Sequence, residues 1–257
     1  MLEKGKYIIF LDVDGTVYDG KGVPKRNVEA LARAKALGHK VFLNTGRAYC
    51  ILPQALMDAV KPDGVVCAMG TTVYVGSERI FSAHFTQEDA EILLRFGDTY
   101  ALRTLPESEE RLVSLRMEAF EGQDHFAEDT DDLFRRYPDM KVCKVSYMQE
   151  VDESLLAPLR GRFHVYAHSG YAEIPAHGCD KATGIAAVCA YYGVGREAAI
   201  AIGDSGNDYD MVKYAGVGVA MGNASADIKA IADFVTLTCE EGGVGHAVEE
   251  LVLKNEA

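Results

Sequence analysis

Two aspartates two residues apart, Asp12 and Asp14, followed by Gly15 and Thr16, stop the apolar run Tyr7-Ile8-Ile9-Phe10-Leu11. If the extended backbone continues through them, both carboxylates leave the same face just beyond a strand's carboxyl end. Open α/β sheets bind their ligands there. The pattern recurs twice: Val41-Phe42-Leu43 runs into Asn44-Thr45-Gly46-Arg47, and Ala199-Ile200-Ala201-Ile202 into Gly203-Asp204-Ser205-Gly206-Asn207-Asp208. Asp12, Asp14 and Asp204 would form a hard, oxygen-only, anionic pocket of the kind that holds Mg²⁺ while a substrate supplies a further oxygen. Without a cation, three close carboxylates raise one another's pKa, so a metal or a shared proton is nearly required.

A metal held by few protein oxygens points to phosphate chemistry, which needs a nucleophile, a proton shuttle and positive groups on the equatorial oxygens. A carboxylate can be the nucleophile, through an aspartyl-phosphate. Asp14 can give and take the proton. Thr45 and Asn207 supply donors, and Lys181 supplies a full charge near a helix start, where backbone N–H groups also favour anions. Blander readings exist for each part: a solvated Asp-x-Asp-Gly turn, helix caps at Thr45 and Asn207, a solvated helix lysine. An EF-hand loop needs glycine and glutamate where this chain has Val17 and Val23, and fails on both. The conjunction of the parts is much rarer than any one of them.

The elements that must position these groups alternate. Val28, Leu31, Ala34 and Leu37 recur at helical spacing after Pro24, and Ile51, Leu52, Leu56 and Val60 mark a second helix before the run Val65 to Ala68. Strand and helix in alternation predict βαβ units and a parallel sheet. After Gly70 the rhythm changes. Thr72–Val75 and Arg79–Phe81 predict a hairpin with the three-residue loop Gly76-Ser77-Glu78. Helices are predicted near 87–97 and 130–137, and strands near 101–105, 111–116, 142–148, 163–167 and 171–174. The βα rhythm resumes with a helix opened by Asp180-Lys181, the strand near 200, short strands at Val217–Ala220 and Phe234–Thr236 around a helix from Ser225, and a closing helix over 244–254. The expected fold is therefore α/β, a Rossmann-like parallel-sheet core over residues 1–83 and 176–257 with an inserted α+β domain over 84–175.

The chain has 257 residues, 48% apolar and 25% charged, ordinary for a soluble globular protein, and a formal charge of −13 from 39 acidic against 26 basic residues. That balance argues against general binding to nucleic acid or anionic membranes, though local cations or a metal can still reverse the field in a cleft. Six scattered cysteines show no zinc-site spacing and read as reduced thiols. With no signal-peptide pattern and no run near the roughly 18 apolar residues of a membrane span, the cytoplasm is the expected location.

Asp12-Val13-Asp14-Gly15-Thr16, Thr45-Gly46-Arg47, Lys181 and Gly203-Asp204-Ser205-Gly206-Asn207-Asp208 resemble, in order and spacing, the four motifs of the haloacid dehalogenase superfamily of phosphatases. The insertion between the second and third motifs is similar to the α/β cap of its Cof-type branch, which acts on small phosphorylated metabolites. The resemblance implies Asp12 as nucleophile and Asp14 as general acid/base. It implies Mg²⁺ held by Asp12, the Asp14 backbone carbonyl and Asp204, and the phosphoryl group bound by Thr45, Lys181 and Asn207. Asp208 would orient Lys181 or a metal water. It also implies a cap that selects the leaving group, and Met69-Gly70 departs from the Asn-Gly that many Cof-type members carry. His164, His168 and His177 are cap candidates by proximity in sequence alone.

The expected activity is Mg²⁺-dependent hydrolysis of a sugar phosphate or similar small metabolite, by a monomer or homodimer. A phosphosugar mutase or phosphotransferase would share the first half-reaction. A non-catalytic phosphometabolite sensor on the same fold would be expected to lack Asp12 or Asp14, and both are present.

Overall fold

The computed structural model describes residues 2–120 and 125–256. The chain divides into two compact units, one of Met1–Gly46, Leu52–Phe81 and Asp180–Ala257, the other of Arg47–Ile51 and Ser82–Cys179.

The first unit opens with β1 (Ile8–Leu11), α1 (Lys25–Ala36), β2 (Lys40–Asn44), α2 (Gln54–Val60), β3 (Gly64–Cys67), β4 (Thr72–Val75) and β5 (Glu78–Ser82). β1 is buried along its whole length, as a central parallel strand covered on both faces must be. The hairpin forms, with a loop of two residues, Gly76-Ser77, because Glu78 already belongs to β5.

The second unit follows with α3 (Gln87–Thr99), β6 (Thr104–Glu107), β7 (Ser114–Leu115), β8 (Phe126–Ala127), α4 (Thr130–Arg136), β9 (Lys144–Tyr147), α5 (Glu153–Arg160), β10 (Tyr166–His168) and β11 (Tyr171–Pro175). Among the described residues its six strands lie in the order β10-β11-β9-β6-β7-β8, antiparallel except for β7 with β8. Helix α5, with Pro158 inside it, has no counterpart among the predicted elements, since an internal proline argues against a helix. Leu156 and Leu159 on α5 nonetheless enter the unit's core with Leu93, Val145, Tyr147 and Ile174. The strand predicted at 101–105 starts later because α3 runs on to Thr99.

Returning to the first unit, the chain adds α6 (Lys181–Tyr192), β12 (Ala199–Gly203), α7 (Tyr209–Tyr214), β13 (Val217–Ala220), α8 (Ala226–Ile231), β14 (Phe234–Val235) and α9 (Gly243–Leu251). The sheet order is β14-β13-β12-β1-β2-β3-β4-β5, with every pairing from β14 to β3 parallel. From β1 the chain steps outward through β2 to β3, and from β12 in the opposite direction through β13 to β14. Right-handed crossovers in opposite directions place their helices on opposite faces. Accordingly α1 packs with α2 and α9, while α7 packs with α6 and α8. The point where the direction reverses, between β1 and β12, is where such sheets bind ligands.

None of the six cysteines forms a disulfide; Cys50 is exposed and the rest are buried. Among the described residues no helix is long and apolar enough to cross a membrane.

Candidate active site

Register brings the polar strand ends level. Leu11 pairs with Ile202 on one side and with Leu43 on the other, so Asp12 emerges beside Gly203-Asp204 and beside Asn44-Thr45. The Asp12 N–H still donates to the Ile202 carbonyl at 3.0 Å, and the chain then turns back, Val17 N–H reaching the Asp12 carbonyl at 3.3 Å and Tyr18 N–H the Val13 carbonyl at 2.9 Å. Gly15 allows this turn with φ 83°; a Cβ there would come within 2.7 Å of Asp204 Oδ2. Thr16 Oγ1 donates to Asp204 Oδ1 at 2.8 Å.

Lys181 comes from α6, whose start is fixed by a capping box between Asp180 and Thr183. Its side chain is fully buried, and its ammonium lies 2.6 Å from Asp12 Oδ1 and 2.6 Å from Asp208 Oδ1, and donates to Asn207 Oδ1 at 3.2 Å. Asp208 is itself held by the backbone N–H groups of Asp204 (2.9 Å) and Ser205 (3.0 Å), which its Oδ2 accepts. Asn207 sits in the single 3₁₀ turn Gly206–Asp208 ahead of α7. Thr45 is buried, its N–H donating to the Val66 carbonyl at 2.9 Å.

Among the described residues, the carboxylates that converge are Asp12, Asp204 and Asp208, one oxygen from each lying within 4.8 Å of the others. The Asp14 carboxylate is outside this group; it is exposed and lines a cavity of about 520 Å³ with Tyr18, Asp19, Asn223, Thr238 and Glu240. Three carboxylates against one ammonium leave a formal charge of −2. Burial, then the negative charges of Asp208 and Asp204, hold Asp12 well above the ordinary carboxylate range although Lys181 pulls the other way. Burial and Asp208 push Asp204 up to about 6. Burial alone would lower Lys181, but Asp12 and Asp208 outweigh it and hold the ammonium above its usual range. An all-oxygen set with two carboxylates short of their charge-balancing partner fits a hard divalent cation such as Mg²⁺.

The model for haloacid dehalogenase-like hydrolases matches residues 9–248, which span all four motifs. The chain belongs to that family. As a haloacid dehalogenase-like hydrolase it has full-length relatives in Bacillus subtilis (strain 168). YkrA, which its name places among the phosphatases, is 30% identical over 96% of this chain and 98% of its own. The 5-amino-6-(5-phospho-D-ribitylamino)uracil phosphatase YitU is 27% identical over 97% and 98%. Among solved structures, the HAD subclass IIB sugar phosphatase BT4131 is 26% identical, covers 95% of this chain and 98% of its own, and superposes with a TM-score of 0.84.

Two contributors have no role in the sequence reading, although Asn44 stands in its second polar strand end. Asn223, just past β13, donates from Nδ2 to the Gly15 carbonyl at 2.9 Å and to Asp204 Oδ2 at 3.5 Å, tying the first acidic turn to the last. A polar residue beyond a fourth strand end was the available signal. Asn44 donates from Nδ2 to the Lys181 carbonyl at 2.9 Å. Met69, where the family often has asparagine, has a fully buried side chain. The three histidines have neighbours within the second unit: His164 stacks on Tyr166, His168 lies 3.4 Å from Glu173, and His177 stacks on Phe163 with Asp89 at 3.4 Å.

Proposed function

We propose that this haloacid dehalogenase-like hydrolase is a Mg²⁺-dependent phosphatase of small metabolites that works through an aspartyl-phosphate on Asp12. The observation that carries the reading is the Lys181 ammonium shared at 2.6 Å between Asp12 and Asp208, beside Asp204 at the reversal point of the sheet. Lys181 engages Oδ1 of Asp12 and so holds the carboxylate in one orientation. An Asp12 oxygen attacks phosphorus as the ester O–P bond breaks, and Asp14 gives a proton to the leaving alkoxide. Asp14 then takes a proton from the water that attacks the aspartyl-phosphate, which releases phosphate and restores Asp12. Thr45, Lys181 and Asn207 hold the phosphoryl oxygens. Mg²⁺, bound by Asp12, the Asp14 carbonyl and Asp204 with Asp208 alongside, would neutralise charge on the phosphoryl group.

The substrate class is a phosphorylated sugar or sugar-alcohol chain, a reading supported by the names of YitU and BT4131. The second unit is assigned the choice of leaving group, with the insertion taken as residues 84–175. The test is phosphate release from a panel of sugar phosphates, phosphorylated polyols, nucleotides, pyridoxal phosphate and flavin mononucleotide, with Mg²⁺ and with excess chelator. Metal-dependent release concentrated on polyhydroxylated substrates is expected; an isomeric phosphate with little free phosphate would instead mean a mutase.

A further inference from the structure

The backbone leaves β3 through three consecutive residues in the left-handed region, Ala68 (φ 47°), Met69 (φ 58°) and Gly70 (φ 82°). Only the last is a glycine. Left-handed alanine and methionine persist only where their surroundings over-determine them, and such outliers gather at functional sites. Here the surroundings are the two backbone segments that carry Thr45 and Lys181. On one side the Met69 N–H donates to the Thr45 carbonyl at 3.2 Å, while Gly70 N–H and Thr71 N–H close the turn onto the Cys67 and Ala68 carbonyls at 3.0 and 3.4 Å. On the other side Gly70 lies directly against Asp180: a Cβ there would fall on the Asp180 carbonyl oxygen and reach within 3.2 Å of Thr183 Oγ1.

Those atoms belong to the box that starts α6. Asp180 N–H donates to Thr183 Oγ1 at 2.9 Å, Thr183 Oγ1 to the Asp180 carbonyl at 2.7 Å, and Thr183 N–H to Asp180 Oδ1 at 2.7 Å. The next residue is Lys181, and its carbonyl accepts the Asn44 side chain at 2.9 Å, with Asn44 fully buried. A lysine head on a four-carbon stem goes where its backbone origin lets it. The geometry points to Gly70 and Asn44 as positioning residues: with the left-handed turn they fix the start of α6 against the Thr45 loop and thereby set the Lys181 ammonium between Asp12 and Asp208. Both act through Lys181. The inference rests on the proposed function only in taking Lys181 to serve the phosphoryl group.

Gly70→Ala and Asn44→Ala test it, with Gly76→Ala as control. Gly76 also has a left-handed φ, 56°, but open space where a Cβ would stand, so alanine meets similar backbone strain with no neighbour to displace. Two readouts are taken: turnover of the best ester from the panel, and reductive methylation of Lys181 in the folded protein, mapped by mass spectrometry. Gly70→Ala and Asn44→Ala should lower kcat by about tenfold or more, as displaced catalytic groups do. Their melting temperatures should fall below that of Gly76→Ala, because the new Cβ displaces the Asp180 carbonyl and the loss of Asn44 strips the Lys181 carbonyl of its donor, and Lys181 should methylate faster than in the wild type under conditions where the variant is folded. Gly76→Ala should keep wild-type turnover and protection. Either test variant retaining both wild-type kcat and Lys181 protection, or Gly76→Ala losing both, would overturn the inference. If Gly70→Ala does not fold, Asn44→Ala decides. If the wild type hydrolyses nothing in the panel, the proposed function has failed, and methylation alone decides the positioning claim.

Discussion

The Lys181 ammonium lies 2.6 Å from Asp12 Oδ1, although 169 residues separate the two in sequence. Neither group is stable in that place alone. Burial holds Asp12 well above the ordinary carboxylate range and would lower the lysine, and the pair exists because each supplies what the other's burial removes.

Lys181→Met keeps the length of the stem and removes the charge. It leaves Asp12 and Asp208 buried beside each other without their cation, a change that costs about 3–5 kcal/mol for buried pairs. The expected outcome in metal-free protein near neutral pH is a melting temperature lower by several degrees. Turnover with Mg²⁺ should fall by about 10²–10³, the usual loss on deleting one electrostatic contact to a transition state. Differential scanning calorimetry and steady-state phosphate release check the two parts separately.

Metal binding should be most visible in stability at neutral pH. Asp12 and Asp204 are raised in the folded state, so their contribution is fully present below the unfolded carboxylate value of about 3.9 and is lost as pH rises through their folded values, about 6 for Asp204. In chelator the melting temperature should therefore decline across that window. A cation that binds only the folded, ionised cluster restores it by mass action. The rise on adding Mg²⁺ should be clearly larger at about pH 7.5 than at about pH 5; equal shifts at both would mean that the cation binds elsewhere.

Thr16 and Asn223 should matter through the metal. Thr16 Oγ1 donates to Asp204 Oδ1 at 2.8 Å and Asn223 Nδ2 reaches Asp204 Oδ2 at 3.5 Å. Groups that orient a metal-binding carboxylate typically contribute about 10–100-fold in metal affinity. Thr16→Val should shift the Mg²⁺ activation curve to higher concentration by about that factor, with turnover at saturating Mg²⁺ much less affected.

The second unit has its own buried charges. Lys144 lies 3.0 Å from Glu107 and 2.5 Å from Glu173 on neighbouring strands, all three nearly inaccessible to solvent, and Ser146 Oγ donates to Glu107 at 2.9 Å. Burial works against ionised Glu173, yet Lys144 and the nearby His168 pull it down to about 2. For Glu107 burial prevails, with Glu173 adding to it, and the carboxyl is held up. Lys144→Met leaves two facing glutamates and should destabilise by about 3–5 kcal/mol. Adding Glu173→Gln should recover part of that loss, and a double-mutant cycle by denaturant melts measures it.

The parallel core was legible because a strand buried on both faces leaves an uninterrupted apolar run, and the motif residues stand directly after such runs at Leu11, Leu43 and Ile202. What Lys181 touches was not legible from spacing, because its partners are set by register between strands distant in sequence. The left-handed conformation of Ala68 and Met69 was invisible for a different reason: alanine and methionine give no local signal for it, and the contacts around the turn come from segments distant in sequence. Helix α5 was hidden by Pro158, whose presence argues against a helix that the burial of Leu156 and Leu159 nonetheless stabilises. Asn223 was within reach, since it too follows a buried strand end.

The most direct test of the central claim is an acid-quenched single turnover with the best panel substrate carrying a labelled phosphoryl group, comparing wild type with Asp12→Asn. The account predicts transient label on the wild-type peptide that contains Asp12 and none on the variant, with phosphate release by the variant down by at least about 10³. Phosphate release from Asp12→Asn at a rate near that of the wild type would contradict it.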